Sequence, residues 1–173
     1  MILNNYWELR RLQQTNYLRH SSMDVVLSSS LKNTSGETIT FMTGDWGDSS
    51  HTEGAAKNWD LISNTSLKIG ASNAEGSVSD YNLIDPISSG FTASTPQWSI
   101  TSSEGKVQRV ISFSVTASTN ITIKEVGICK EICTRLSGSL QYATVMLARA
   151  VLENPITLSA GQGAVIVIEW IEA

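Results

Sequence analysis

The most constraining stretch of the chain runs from Ala164 to Ile171, where Val165, Ile166, Val167 and Ile168 follow one another without a polar interruption. Successive side chains of a strand point to opposite faces, so this run is apolar on both. A strand with one face in water alternates apolar and polar residues instead. The run therefore lies centrally between sheets, or one of its faces meets another subunit. Asn120 to Cys129 reads as a strand and is followed by a polar insert, Lys130 to Gln141. From Ala143 onward, three strand-like runs are divided by Glu153-Asn154-Pro155 and by Ala160-Gly161-Gln162-Gly163. Proline fixes φ and removes a donor, and glycine admits positive φ, so both breaks read as turns.

The earlier chain fits the same class. Charged residues make up only 16% of the 173 positions, and Ser, Thr, Asn and Gly fill the gap, which suits a β-protein with polar outer faces. Ser66 to Gly70 is a short strand, and Trp98 to Thr101 with Val107 to Thr116 a hairpin turning at Ser103-Glu104-Gly105-Lys106. In its second strand Ile111, Phe113 and Val115 share one face, and Ser112, Ser114 and Thr116 the other. Glu37 to Met42 alternates around Ile39 and Phe41 and reads as a strand after a turn at Asn33 to Gly36. Ser88 to Thr95 reads as loop. Ile121 and Ile123 have one parity and Val126 and Ile128 the opposite one, so a bulge near Lys124-Glu125 is needed to keep all four on one core face.

Asn5 with Glu8 three residues on reads as a capping box, and Ile2, Tyr6, Leu9 and Leu12 recur at helical spacing. The expected organisation is an N-terminal helical arm, 1–22, and a β-sandwich domain, 23–173. Long loops are expected at about 43–59 and 130–142. The arm carries Arg10, Arg11, Arg19 and His20. It packs on its own domain, docks on a neighbouring subunit or a larger shell through Tyr6, Trp7, Leu9, Arg10 and Arg11, or binds nucleic acid through its basic charges.

Chemistry is sparse. A net charge of −4 and a pI near 5.1 argue against coating nucleic acid. No apolar run is long enough for a membrane-spanning helix, and no signal-peptide core follows Met1. The chain is expected to stay in the cytoplasm or to leave by lysis. There is no nucleophile elbow, phosphate-cradling loop or H-E-x-x-H motif. His51 near Asp45, Asp48 and Ser49 is what a Ser-rich loop gives by chance. Asp45, Asp48 and Glu53 do not have EF-hand spacing, and Asp80 with Asp85 would need an opposed geometry to act on a glycoside. No cofactor or metal is expected. Trp46 and Trp59 pack the long loop against something, or stack on a sugar ring; Tyr81 and Trp98 are further aromatic candidates. Cys129 and Cys133 would share a face if helical; they read as two reduced thiols, with a disulfide as the alternative.

Three segments in order carry a resemblance: Leu67 to Ile87 (LKIGASNAEGSVSDYNLIDPI), Ile111 to Ile128 (ISFSVTASTNITIKEVGI) and Met146 to Trp170 (MLARAVLENPITLSAGQGAVIVIEW). Together they resemble a recurrent class of small virion proteins of tailed bacteriophages, over about the last hundred residues. The resemblance implies an antiparallel, jelly-roll-like β-sandwich without catalytic residues. It also implies a place in the virion, assembled in the bacterial cytoplasm: tail, neck or fibre anchor before capsid decoration. The implied partners are other copies of the chain and other virion proteins, with a host glycan as the alternative. In that setting Glu125 and Arg149 pair on neighbouring strands, and Val165 and Val167 join the interface candidates. The insert at Lys130 to Gln141 and the N-terminal helix depart from the class.

Overall fold

The computed structural model describes residues 1–16, 25–27, 29–43, 65–103, 106–136 and 139–172. It is mainly β, with one helix near the N-terminus and antiparallel sheets. Helix α1 spans Asn4–Asn16. A short pair, β1 (Val25–Leu27) and β2 (Phe41–Thr43), forms a two-stranded sheet. Eight further strands follow: β3 (Thr65–Gly70), β4 (Pro86–Ile87), β5 (Phe91–Ala93), β6 (Gln97–Ser103), β7 (Lys106–Ala117), β8 (Ile121–Leu136), β9 (Ser139–Leu158) and β10 (Gly163–Glu172). They form two four-stranded sheets, one ordered β4-β3-β8-β9, the other built on β7 with β10 along one edge and β5 and β6 along the other.

The core follows from alternation. Ile111, Phe113 and Val115 of β7 are buried, as is Ile166 of β10. They meet Leu67 and Ile69 of β3, Ile121, Ile123, Val126 and Ile128 of β8, and Leu158 of β9 in a single apolar cluster. Both sheets thus contribute side chains to one core. The parity break is absorbed as the sequence requires: the register passes from Ile123↔Ile156 to Glu125↔Val151. Lys124 on β8 and four residues on β9, 152–155, fall outside the paired register here; Pro155 is among them, and its missing donor is harmless outside the ladder. A second shift, between Ile128↔Ala148 and Cys129↔Met146, leaves Leu147 as an extra residue.

Three expectations need correction. The expected loop at 130–142 is strand on both sides of residues 137–138, which lie outside the described residues; β8 and β9 pair from Lys130↔Val145 to Leu136↔Ser139. Within it Lys130 and Thr134 are buried. Glu153-Asn154-Pro155 does not end a strand either, because β9 runs through it as a bulge. Ser88 to Thr95 contains strand β5, paired through Phe91↔Ala117. Part of the expected strand at Glu37 to Met42 is β2, with Ile39 buried before it. The loop at 43–59 lies outside the described residues from 44 onward.

Two short crossings between the sheets, Ser118 to Asn120 and Ser159 to Gln162, are stitched together. Ala117 N–H donates to the Gln162 carbonyl at 2.9 Å, and Gly161 N–H to the Ala117 carbonyl at 2.7 Å. Gly161 has φ 84° and an added Cβ there would meet nothing within 4 Å, so its need for glycine is conformational alone. We therefore expect Gly161→Ala to cost about 1–2 kcal/mol of stability in urea unfolding, with the cooperativity unchanged. No loss at all would mean that the turn relaxes to another conformation.

Candidate functional site

The final strand resolves the question its sequence poses. Ala164, Ile166 and Ile168 face the core, while Val165 and Val167 remain 64% and 59% exposed. Their cross-strand neighbours on β7 are Ser114 and Ser112, and Ser112 is in turn opposite Gln97 of β6. The next row is Glu169, Val110 and Ser99. This outer face is therefore built of Val, Ser and Gln around one carboxylate. Gln108 donates from Nε2 to Glu169 Oε1, which holds that carboxylate back against β7.

The N-terminal candidates divide. Tyr6 and Leu9 are buried with Leu12, Leu31, Ile39, Ile132, Val145 and Leu147, so the helix packs on its own domain and these two cannot contact a neighbour. The backbone before the helix adds to the outer edge of β9: Arg149 N–H donates to the Met1 carbonyl at 3.0 Å and Leu3 N–H to the Leu147 carbonyl at 2.9 Å. Asn5 does not cap the helix. Its side chain donates to the Lys32 carbonyl at 2.8 Å and accepts from Lys32 N–H at 2.8 Å. Glu8 accepts from Ser30 N–H and binds Arg11, and the Arg11 hydrogen bond, ahead of an opposing cost of burial, holds its carboxyl below the usual range. Arg11 is held above its usual value by the same contact. Trp7 is 54% exposed, with its ring edge-on to Tyr6 at 5.2 Å. Partial burial, then the nearby charge of Arg109, lowers Arg10. Trp46 and Trp59 lie outside the described residues, as do Arg19, His20 and His51.

The most polar part of the interior is an ion cluster. The Arg149 guanidinium donates to Glu125 Oε2 from Nε at 2.8 Å, to Asp80 Oδ2 from Nη1 at 2.8 Å and to the Ala74 carbonyl from Nη2 at 3.0 Å. Glu125 also accepts from the N–H groups of Asp85 at 2.9 Å and Ile84 at 3.3 Å. The expected Glu125–Arg149 pair is present, with Arg149 opposite Gly127, two residues along β8 from Glu125. Sequence reasoning missed Asp80 as its third member because nothing local marks which carboxylate a strap will deliver. Asp80 accepts from Arg149, and Asp85 gives its backbone N–H to Glu125. Cavities of about 80 and 220 Å³ flank the cluster, both lined by Met1, Arg149 and Ala150. The Arg149 guanidinium in their lining is already hydrogen-bonded within the protein. Among the described residues no three His, Cys, Asp or Glu side chains come together to hold a metal.

Both cysteines lie on β8. Four residues of strand span about 13 Å, far beyond the reach of one disulfide. Burial pushes the Cys129 thiol up to about 12. No family model matches this chain, and no curated protein or solved structure is significantly similar to it.

Two outcomes follow from this geometry. Arg149→Met leaves two carboxylates without their cation and is expected to destabilise by about 3–5 kcal/mol in denaturant unfolding; a loss below about 1 kcal/mol would show the cluster to be dispensable. The Cys129 thiol is held protonated when folded, whereas an unfolded thiol ionises near 8.5. Its contribution is full below that pH and is lost as pH rises toward about 12. Cys129→Ala should therefore flatten the alkaline fall in stability measured between pH 8.5 and 12; an unchanged slope would contradict it.

Proposed function

We propose that this protein is a non-enzymatic structural component of a tailed-phage virion that acts through repeated contacts between subunits. The three segments that resemble small phage virion proteins support the virion setting. The observation that carries the assembly reading is the outer face of β10, where two valines stand exposed among small polar residues with one tethered carboxylate. Exposed side chains of this kind on an ordered strand provide contact area at little entropic cost, since Val has few rotamers to lose.

The body is, in this reading, a β-sandwich whose two sheets share the cluster around Phe113 and Ile128. Neighbouring strands β6–β7 and β8–β9 each pair within one sheet. The helix belongs to that rigid body and leaves Trp7 outward. Tail, neck or fibre anchor remains the preferred position, ahead of capsid decoration.

The test is the mass of the purified protein by light scattering over rising concentration. An assembly component gives a defined species heavier than the 18.8 kDa chain. A chain that stays at 18.8 kDa at every concentration, alone and with the other virion proteins of its particle, would overturn the reading.

A further inference from the structure

We propose that β10 pairs edge to edge with β10 of a second copy, antiparallel about a two-fold axis through Ile166, so that one sheet continues across both subunits. The inference rests on the assembly reading above and names its partner and register.

The direction of the backbone groups comes from the turn before β10. Ala117 N–H donates to the Gln162 carbonyl, and Gly163 is opposite Thr116. Hydrogen-bonding direction alternates along a strand. Residues 164, 166 and 168 therefore spend their N–H and C=O groups on β7, and Val165, Val167 and Glu169 turn theirs to the opposite edge. The far side of β7 agrees, since Ser94 N–H donates to the Ser114 carbonyl there at 2.8 Å. Among the described residues β10 ends its sheet, with β7 as its neighbour.

An open edge is a template for another strand, and proteins blunt it with lysine, proline or inward charge. The sequence of β10, GAVIVIEWIE, carries neither lysine nor proline. A second copy fits this edge in charge as well as in hydrogen bonding. With Val165 opposite Val167 of the other copy, Glu169 falls opposite Gly163, and no carboxylate faces a carboxylate. The same register brings four valines together on the outer face, where each copy leaves its own pair more than half exposed. An isologous contact requires such a patch to match itself under rotation.

Val167→Pro tests this directly. It removes an N–H that points away from β7, so the β7 ladder is kept while the new pairing loses a bond and meets the ring. The wild-type chain should show a species of even copy number, and Val167→Pro should halve its mass with an unchanged circular dichroism spectrum. If that variant fails to fold, Val165→Lys, which sets ammonium groups against the valine cluster, should give the same halving. An oligomer that keeps its mass in the folded variant overturns the edge pairing while the assembly reading stands. A wild-type chain that remains a monomer assigns the edge to a different protein and overturns the proposal.

Discussion

The structure depends on one buried guanidinium. Arg149 and Glu125 are almost wholly excluded from solvent, and Asp80 is only partly exposed. Taking such charges out of water is unfavourable unless every lone pair and proton finds a partner. Here the groups come from three places: Glu125 from β8, Arg149 from β9, and Asp80 and the Ala74 carbonyl from the strap between β3 and β4. The cluster therefore fixes the path of residues 71–85 more than it adds to stability. Leu83 adds apolar contact, packing with Leu3, Cys129 and Met146. Three glycines permit the close approach. A Cβ on Gly70 would strike Glu125, on Gly76 the Arg149 guanidinium, and on Gly127 Met146 and Leu83.

The long β8–β9 hairpin serves both halves of the molecule. Near its base it supplies the core shared by the two sheets, and farther out it carries the helix and the Leu31–Ile39 segment. Two register shifts on β9 let one hairpin do both. Without the break at Lys124-Glu125, strict alternation along β8 from Ile121 and Ile123 would turn Val126 and Ile128 out of the core.

Much of this was legible in the residues. Period-two burial in β7, the need for a bulge at Lys124-Glu125, the turn at Gly161 and the Glu125–Arg149 pair are all written locally, in parity and turn chemistry. The insert from Lys130 to Gln141 was misread because polar side chains suggest solvent. Lys130 and Thr134 are strand residues buried by elements far off in the chain, and tertiary packing overrides composition there. Asn5 and Glu8 were misread for a similar reason. Their spacing matches a cap, but segment 30–32 offers their side chains better partners than the helix end does. For the candidate surface, the sequence could say that one face of β10 needed explaining; it could not say which, because that depends on the register with β7.

The stitched crossings at Ala117 and Gln162 have a mechanical consequence. Strands β7 and β10 lie antiparallel along ten paired positions, from Gly163↔Thr116 to Glu172↔Val107. A force drawn along β10 against a neighbour held by the rest of the subunit loads those bonds in shear, all together. A force drawn across the strand would peel them one after another from the end. The tie at Gly161 resists peeling at one end, so β10 holds to its sheet more firmly under a pull along its length than under one across it.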